Sequence, residues 1–171
     1  MATVPLQRAR VYGTISGNSP QIRYFPEADA QTFKTGQFVY LVDGKVTACP
    51  SDPTAVLGMA AHDANESEDA DVAVHVINGD TEFEVNVYHD DTGESDNEIA
   101  VTHTGGVYGM IVVDNKCYCD ISDTENKVFI VKSISIRDKA GDVYGRAVVD
   151  VIPSISQLHN DELAVGESNP E

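Results

Sequence analysis

The stretch Thr81-Glu82-Phe83-Glu84-Val85-Asn86-Val87-Tyr88 decides the fold class. Successive side chains of a strand point to opposite faces, so Phe83, Val85 and Val87 share one side and Glu82, Glu84 and Asn86 the other. A helix would scatter the same residues around its circumference. The reading is a strand with one face in a core and the other toward solvent or a partner. The runs on either side have the same character: short, rich in Val, Ile, Tyr and Phe, and bounded by Gly, Asp, Asn or Pro. Upstream, Val72 to Ile77 leads through Asn78-Gly79-Asp80 into this strand, a hairpin candidate. Further up, Phe38 to Val42 turns at Asp43-Gly44 into Lys45 to Ala48, with Gly accepting the positive φ of a tight turn. Ala55 to Ala60 follows the Ser51-Asp52-Pro53 turn. Downstream lie Val107 to Val113, a turn at Asp114-Asn115, Lys116 to Cys119, Val128 to Ile136 and Val143 to Ile152. No amphipathic helix is expected, only short turns near residues 27–31 and 154–159.

These runs predict an all-β chain of small β-barrel or sandwich units with an extended N-terminal arm and little or no helix. Residues 1–30 mix Gly, Ser, Asn, Pro and Arg with little periodicity and are expected to form the arm. A first β-barrel-like unit is expected over 31–89 and a second β unit over 99–155. Between them, residues 90–98 contain nothing apolar and read as an exposed acidic loop. Residues 156–171 are expected to be a mobile acidic tail. At 171 residues with 42% hydrophobic content, the chain can bury roughly 70% of its unfolded surface without a metal or disulfide staple.

The formal charge is −17, and it is unevenly spread. Residues 1–34 hold Arg8, Arg10, Arg23 and Lys34 against Glu27 and Asp29, a net of +2. From Val46 through Asn115 there is no Lys or Arg, against 15 Asp and Glu. Such a field repels nucleic acid and anionic lipid surfaces and favours a basic protein partner or cations. No stretch approaches the ~20 apolar residues of a membrane helix. The first residues lack the apolar run of a signal peptide, so an unsecreted chain is expected. Cys49, Cys117 and Cys119 make an odd count; Cys117 and Cys119, at i and i+2, share a strand face and are expected to be reduced.

Candidate chemistry is sparse. Asp91-Thr92-Gly93 spells the triplet of aspartic proteases, but His89-Asp90 and Glu94 flank it where an apolar strand would be needed, so a solvated loop is the expectation. Asp69, Asp71 and the acidic loop could gather oxygens for Ca²⁺, yet no EF-hand spacing is present. Cys117-x-Cys119 has no second pair, and His62, His75, His89, His103 and His159 show no metal spacing with it. His75, between Val74 and Val76, reads as a strand-face residue. No nucleophile elbow, phosphate loop or dinucleotide fingerprint appears. No enzyme activity and no cofactor are expected.

Gln31-Thr32-Phe33-Lys34-Thr35-Gly36-Gln37-Phe38-Val39-Tyr40-Leu41, continued by Gly44, Asp52-Pro53, Val56-Leu57-Gly58-Met59-Ala60 and Asp63-Ala64, is similar to the capsid decoration, or cement, proteins of tailed bacteriophages. Their phrase T-F-x-x-G-x-x-V-x-L…G…D-P…I-L-G-x-A…D-A marks a small β-barrel. Asp80 to Val85, Gly106-Val107-Tyr108-Gly109 and Gly145-Arg146-Ala147-Val148-Val149 fit the same pattern. The resemblance implies a structural virion protein on the outer surface of a phage head. It would bind the major capsid protein, usually as a homotrimer, and hold neighbouring capsid subunits together. With the basic N-terminal segment, it suggests Arg8, Arg10, Tyr12 and Arg23 as capsid or subunit contacts. A β-sandwich ligand- or carbohydrate-binding module is the alternative; the absence of Trp and 7% aromatic content count against it, because sugars stack on exposed aromatics.

Overall fold

The computed structural model describes residues 1–89 and 96–159. Among these the regular secondary structure is nearly all strand. A five-stranded antiparallel sheet runs in the order β2 (Ile22–Pro26), β6 (Asp71–Val76), β5 (Gly58–Ala60), β3 (Phe38–Val42) and β4 (Lys45–Ala48). A parallel bridge between Glu27 and Val46 brings its two ends together, so this sheet is a small barrel. The second sheet has the order β1 (Arg10–Thr14), β7 (Thr81–Tyr88), β11 (Arg146–Val151), β10 (Phe129–Ile134), β8 (Val107–Val113) and β9 (Lys116–Asp120). β9 returns to β7 in parallel through Val87↔Cys119 and Tyr88↔Asp120, closing this sheet too. Two 3₁₀ turns, Val101–His103 and Pro153–Ile155, lie wholly within the described residues.

Period-two patterning explains how two barrels share so few residues. On β3, Val39 and Leu41 point into the first barrel with Val46, Leu57, Val72 and Val74. Phe38 and Tyr40, one residue out of phase, point the other way and join the core of the second sheet. Phe38 packs edge-on against Phe83 of β7 (ring centroids 5.3 Å apart) and Phe129 of β10 (5.2 Å). Its N–H donates to Cys117 Sγ and its carbonyl accepts from Cys49 N–H. The two β units thus keep separate cores, set back to back across β3, whose alternate residues feed one and then the other.

The expected strands appear nearly where the periodicity puts them, but the pairing does not follow the expected boundary at 90–98. β7, placed by sequence in the first unit, belongs to the second sheet, and the chain changes sheets at Asn78-Gly79. Residues 1–30 run extended but are not a free arm. Ala2 to Val4 bond to Val143, β1 pairs with β7, and β2 pairs with β6. Neither N-terminal strand showed in the periodicity, because Gly13 sits in a short strand bulged between Val11 and Gly13, and Pro26 ends the other. The segment also covers the outer face of β7. Asn86 is buried under Pro5 and Gln7, and Glu84 under Arg10, so the face expected to meet solvent is closed at these positions. At the other end, residues 156–159 begin as structure: Ser156 bridges Val56, and Gln157 holds Leu41 through two hydrogen bonds. The rest of the expected tail, 160–171, and the loop residues 90–95 lie outside the described residues.

Barrel closure makes one glycine indispensable. A Cβ on Gly58 would lie 2.1 Å from the carbonyl oxygen of His75, on the neighbouring strand β6. Both strands are held by hydrogen bonds on both edges, so neither can retreat. Gly58→Ala is expected to lower stability by about 1–3 kcal/mol. The measurement is a urea titration, in which the midpoint falls while the slope stays that of the parent.

Candidate functional site

The four residues singled out by sequence separate into two kinds. Arg10 is turned inward: its Nε donates to Glu84 Oε1 at 2.9 Å. Glu84 is only 3% exposed, and its other oxygen accepts from Ser135 Oγ at 2.7 Å, while Arg137 adds a second guanidinium. Burial would raise this carboxyl, but the bonds from Ser135, Arg137 and Arg10 outweigh it and hold Glu84 below the usual carboxylate range. Arg10 is therefore a structural residue that ties β1 to the β10–β11 turn. Arg8 is half exposed, with a long 3.9 Å approach to Asp63, which Lys34 also faces.

Tyr12 and Arg23 are both exposed. Tyr12, at the bulge of β1, is 41% exposed. Arg23 is exposed in the middle of β2 and, among the described residues, forms no ion pair. The structure adds three residues that sequence reasoning passed over: Ile15 at 64% exposure, Ile22 at 45% and Tyr24 at 69%. The signal was present in Ile22-Arg23-Tyr24-Phe25, where Phe25 packs on the first barrel's core while Ile22 and Tyr24 share the opposite face. Large exposed apolar side chains on the two edge strands and their connection mark this segment as the best candidate interaction surface.

Other chemistry-bearing groups are committed elsewhere. All three cysteines are buried and free. Burial pushes the Cys117 thiol up to about 12 and raises Cys49 and Cys119 well above the ordinary thiol value, so they remain protonated packing groups. Asp69 pairs with Lys45 at 2.9 Å. The Asp91-Thr92-Gly93 triplet lies outside the described residues. Among the described residues, no group of three or more His, Cys, Asp or Glu side chains is placed to hold a metal ion. A cleft of about 400 Å³ is lined by Asp52, Asp120, Ser122, Asp123 and their neighbours. Its Asp52 carboxyl is raised by burial and by the adjacent Asp123. The same loop fastens the first barrel to β8: Asp52 N–H donates to Met110 O at 2.8 Å and Val112 N–H to Ser51 Oγ at 2.9 Å. No helix among the described residues is long and apolar enough to cross a membrane. No family model matches the chain, and no curated protein matches it.

Proposed function

We propose that this chain is a non-catalytic structural protein of a phage virion. It binds the outer surface of the head as a homotrimer and stabilises contacts between major capsid protein subunits. The observation that carries the reading is the exposure of Tyr12, Ile15, Ile22 and Tyr24, together with Arg8 and Arg23, in the segment that holds the two N-terminal edge strands. They fall within residues 1–34, which carry a net charge of +2 in a chain of −17. Exposed apolar groups suit a protein surface, since the acidic charge of the whole chain keeps nucleic acid and anionic lipid away. The decoration-protein phrases from Thr32 to Ala64 support the same reading: they fall on the strands and turns of the first barrel. Many modest contacts on one shell add by multivalency, so no single large patch is required.

The test is cosedimentation with heads assembled without this protein, alongside light scattering of the free chain. Deleting the first 24 residues would remove β1 and most of β2, so surface variants are the informative ones. The parent is expected to bind heads and to scatter as three chains. Tyr12→Ser/Tyr24→Ser is expected to weaken head binding at least tenfold, the loss of two exposed aromatic anchors at ~1–2 kcal/mol each, with unchanged thermal unfolding. A monomeric parent that stays in the supernatant would sink the reading.

A further inference from the structure

We infer that the open edge of β2 is a docking site for an extended segment of a partner protein, added as a further strand, with a carboxylate placed opposite Arg23. This deepens the reading above by naming what part of the surface takes.

The hydrogen-bond parity of β2 is settled by its neighbours. Val76 N–H donates to Gln21 O and Glu27 N–H to Ala70 O. In an antiparallel ladder the residues that face the partner strand alternate, so Gln21, Arg23, Phe25 and Glu27 spend their backbone groups on β6. Ile22 and Tyr24 then direct N–H and C=O to the opposite edge, where neither has a hydrogen-bond partner among the described residues. β4 does not cover them. It meets β2 at the parallel pair Glu27↔Val46, one residue after β4 begins, so residues 22–25 overhang the β3–β4 turn. Side chains above this edge are Ile22 and Tyr24, both exposed, and Arg23 lies on the other face with no ion pair among the described residues.

A second copy of the chain does not fit. Two-fold pairing that uses both open residues sets Ile22 opposite Tyr24 of the other copy, and therefore Arg23 opposite Arg23, which like-charge repulsion disfavours. Slipping the register to avoid this brings Pro20 or Pro26 against an open residue, and neither has an N–H. The edge is thus guarded against itself while remaining open to another strand. A segment with apolar residues flanking one Asp or Glu satisfies all of it: four backbone bonds, contact with Ile22 and Tyr24, and a charge opposite Arg23. With the whole chain at −17, the rest of that segment should be neutral or basic.

The test uses the full chain and two peptides, acetyl-Thr-Val-Glu-Val-Thr-amide and its counterpart with Lys in place of Glu, followed by NMR. In the free protein the Ile22 and Tyr24 amides should exchange with solvent quickly, and those of Arg23 and Phe25 slowly. On titration with the Glu peptide the Ile22 and Tyr24 amides should shift and gain protection. The Glu peptide should bind about two- to fivefold tighter than the Lys peptide, and Arg23→Glu should reverse that order. Tyr24→Pro removes an outward N–H without touching the bonds to β6; it should abolish binding while Arg23 and Phe25 stay protected. Equal binding by Tyr24→Pro, no response at Ile22 and Tyr24, indifference to the Arg23 charge, or concentration-dependent self-pairing at this edge would each overturn the inference. No shell is present in this experiment, so its failure would leave the virion reading standing, and failure of head binding would leave the edge intact.

Discussion

Phe38→Ala should cost about 3–5 kcal/mol of folding stability, the usual range for emptying a buried aromatic site. The argument rests on position rather than on size alone. Phe38 is wholly buried where the outside of the first barrel becomes the inside of the second, and its ring touches Phe83 and Phe129 edge-on. Those rings belong to two strands of the second sheet, so the cavity would open between elements that closure holds in place. Backbone bonds on either side of Phe38, to Cys117 and Cys49, further limit collapse. Against a typical total of about 5–15 kcal/mol, the variant should be near the limit of folding at ambient temperature. Phe38→Leu should lose less, since it keeps most of the volume. Urea unfolding read by far-ultraviolet circular dichroism and by tyrosine fluorescence should give one coincident transition for the parent. Separate transitions for the two sheets, or a Phe38→Ala loss under about 1 kcal/mol, would contradict this coupling of the two sheets through β3.

Glu84→Ala ranks second, at about 3 kcal/mol, the low end for breaking a buried ion pair. The lower figure follows from the partners: Arg10 and Arg137 reach solvent, so water screens part of their charge once the carboxylate is gone. Ser135 Oγ, itself buried, would lose its acceptor. The carboxyl also sets an acid dependence with a definite sign. Its folded value lies below the ordinary one, because three hydrogen bonds outweigh burial. Its stabilisation is therefore complete above the unfolded value of ~4.3 and is lost as pH falls through the folded value. Glu84→Gln, nearly the same shape, should flatten that part of the acid limb below about pH 5. A residual limb should remain. Asp138 is likewise depressed, burial being outweighed by the Arg146 hydrogen bonds, one of them 2.7 Å from Nε. Urea midpoints measured across that range in parent and variant decide the point. Parallel curves would show that the Glu84 charge is not held in the native state.

Much of the architecture was legible in the chain. Alternation in Thr81 to Tyr88 placed Phe83, Val85 and Val87 in the core, where they are. Asp43-Gly44 marked the β3–β4 hairpin, and both residues have the positive φ that such a turn needs. What escaped was the N-terminal segment. Ile22-Arg23-Tyr24-Phe25 alternates, but over too few residues and too close to prolines to stand out from an arm. Charge patterning drew attention to Arg8, Arg10, Tyr12 and Arg23 as a set. It could not distinguish Arg10, which neutralises a buried carboxylate, from Arg23, which faces water.

By itself, then, the sequence determined the class of the protein: strands, their turns, the acidic surface and the residues able to form a core. These depend on neighbours two to four positions apart, which is the range over which alternation and turn chemistry act. Only the tertiary structure decided which strands pair, that β7 joins the second sheet, that Glu84 and Asn86 are covered, and that β2 keeps an open edge. Those outcomes turn on contacts between residues 50 to 80 positions apart, such as Arg10 with Glu84 and Phe38 with Cys117. Closing such long loops costs entropy that no local pattern records, and it is recovered only when the whole barrel is in place.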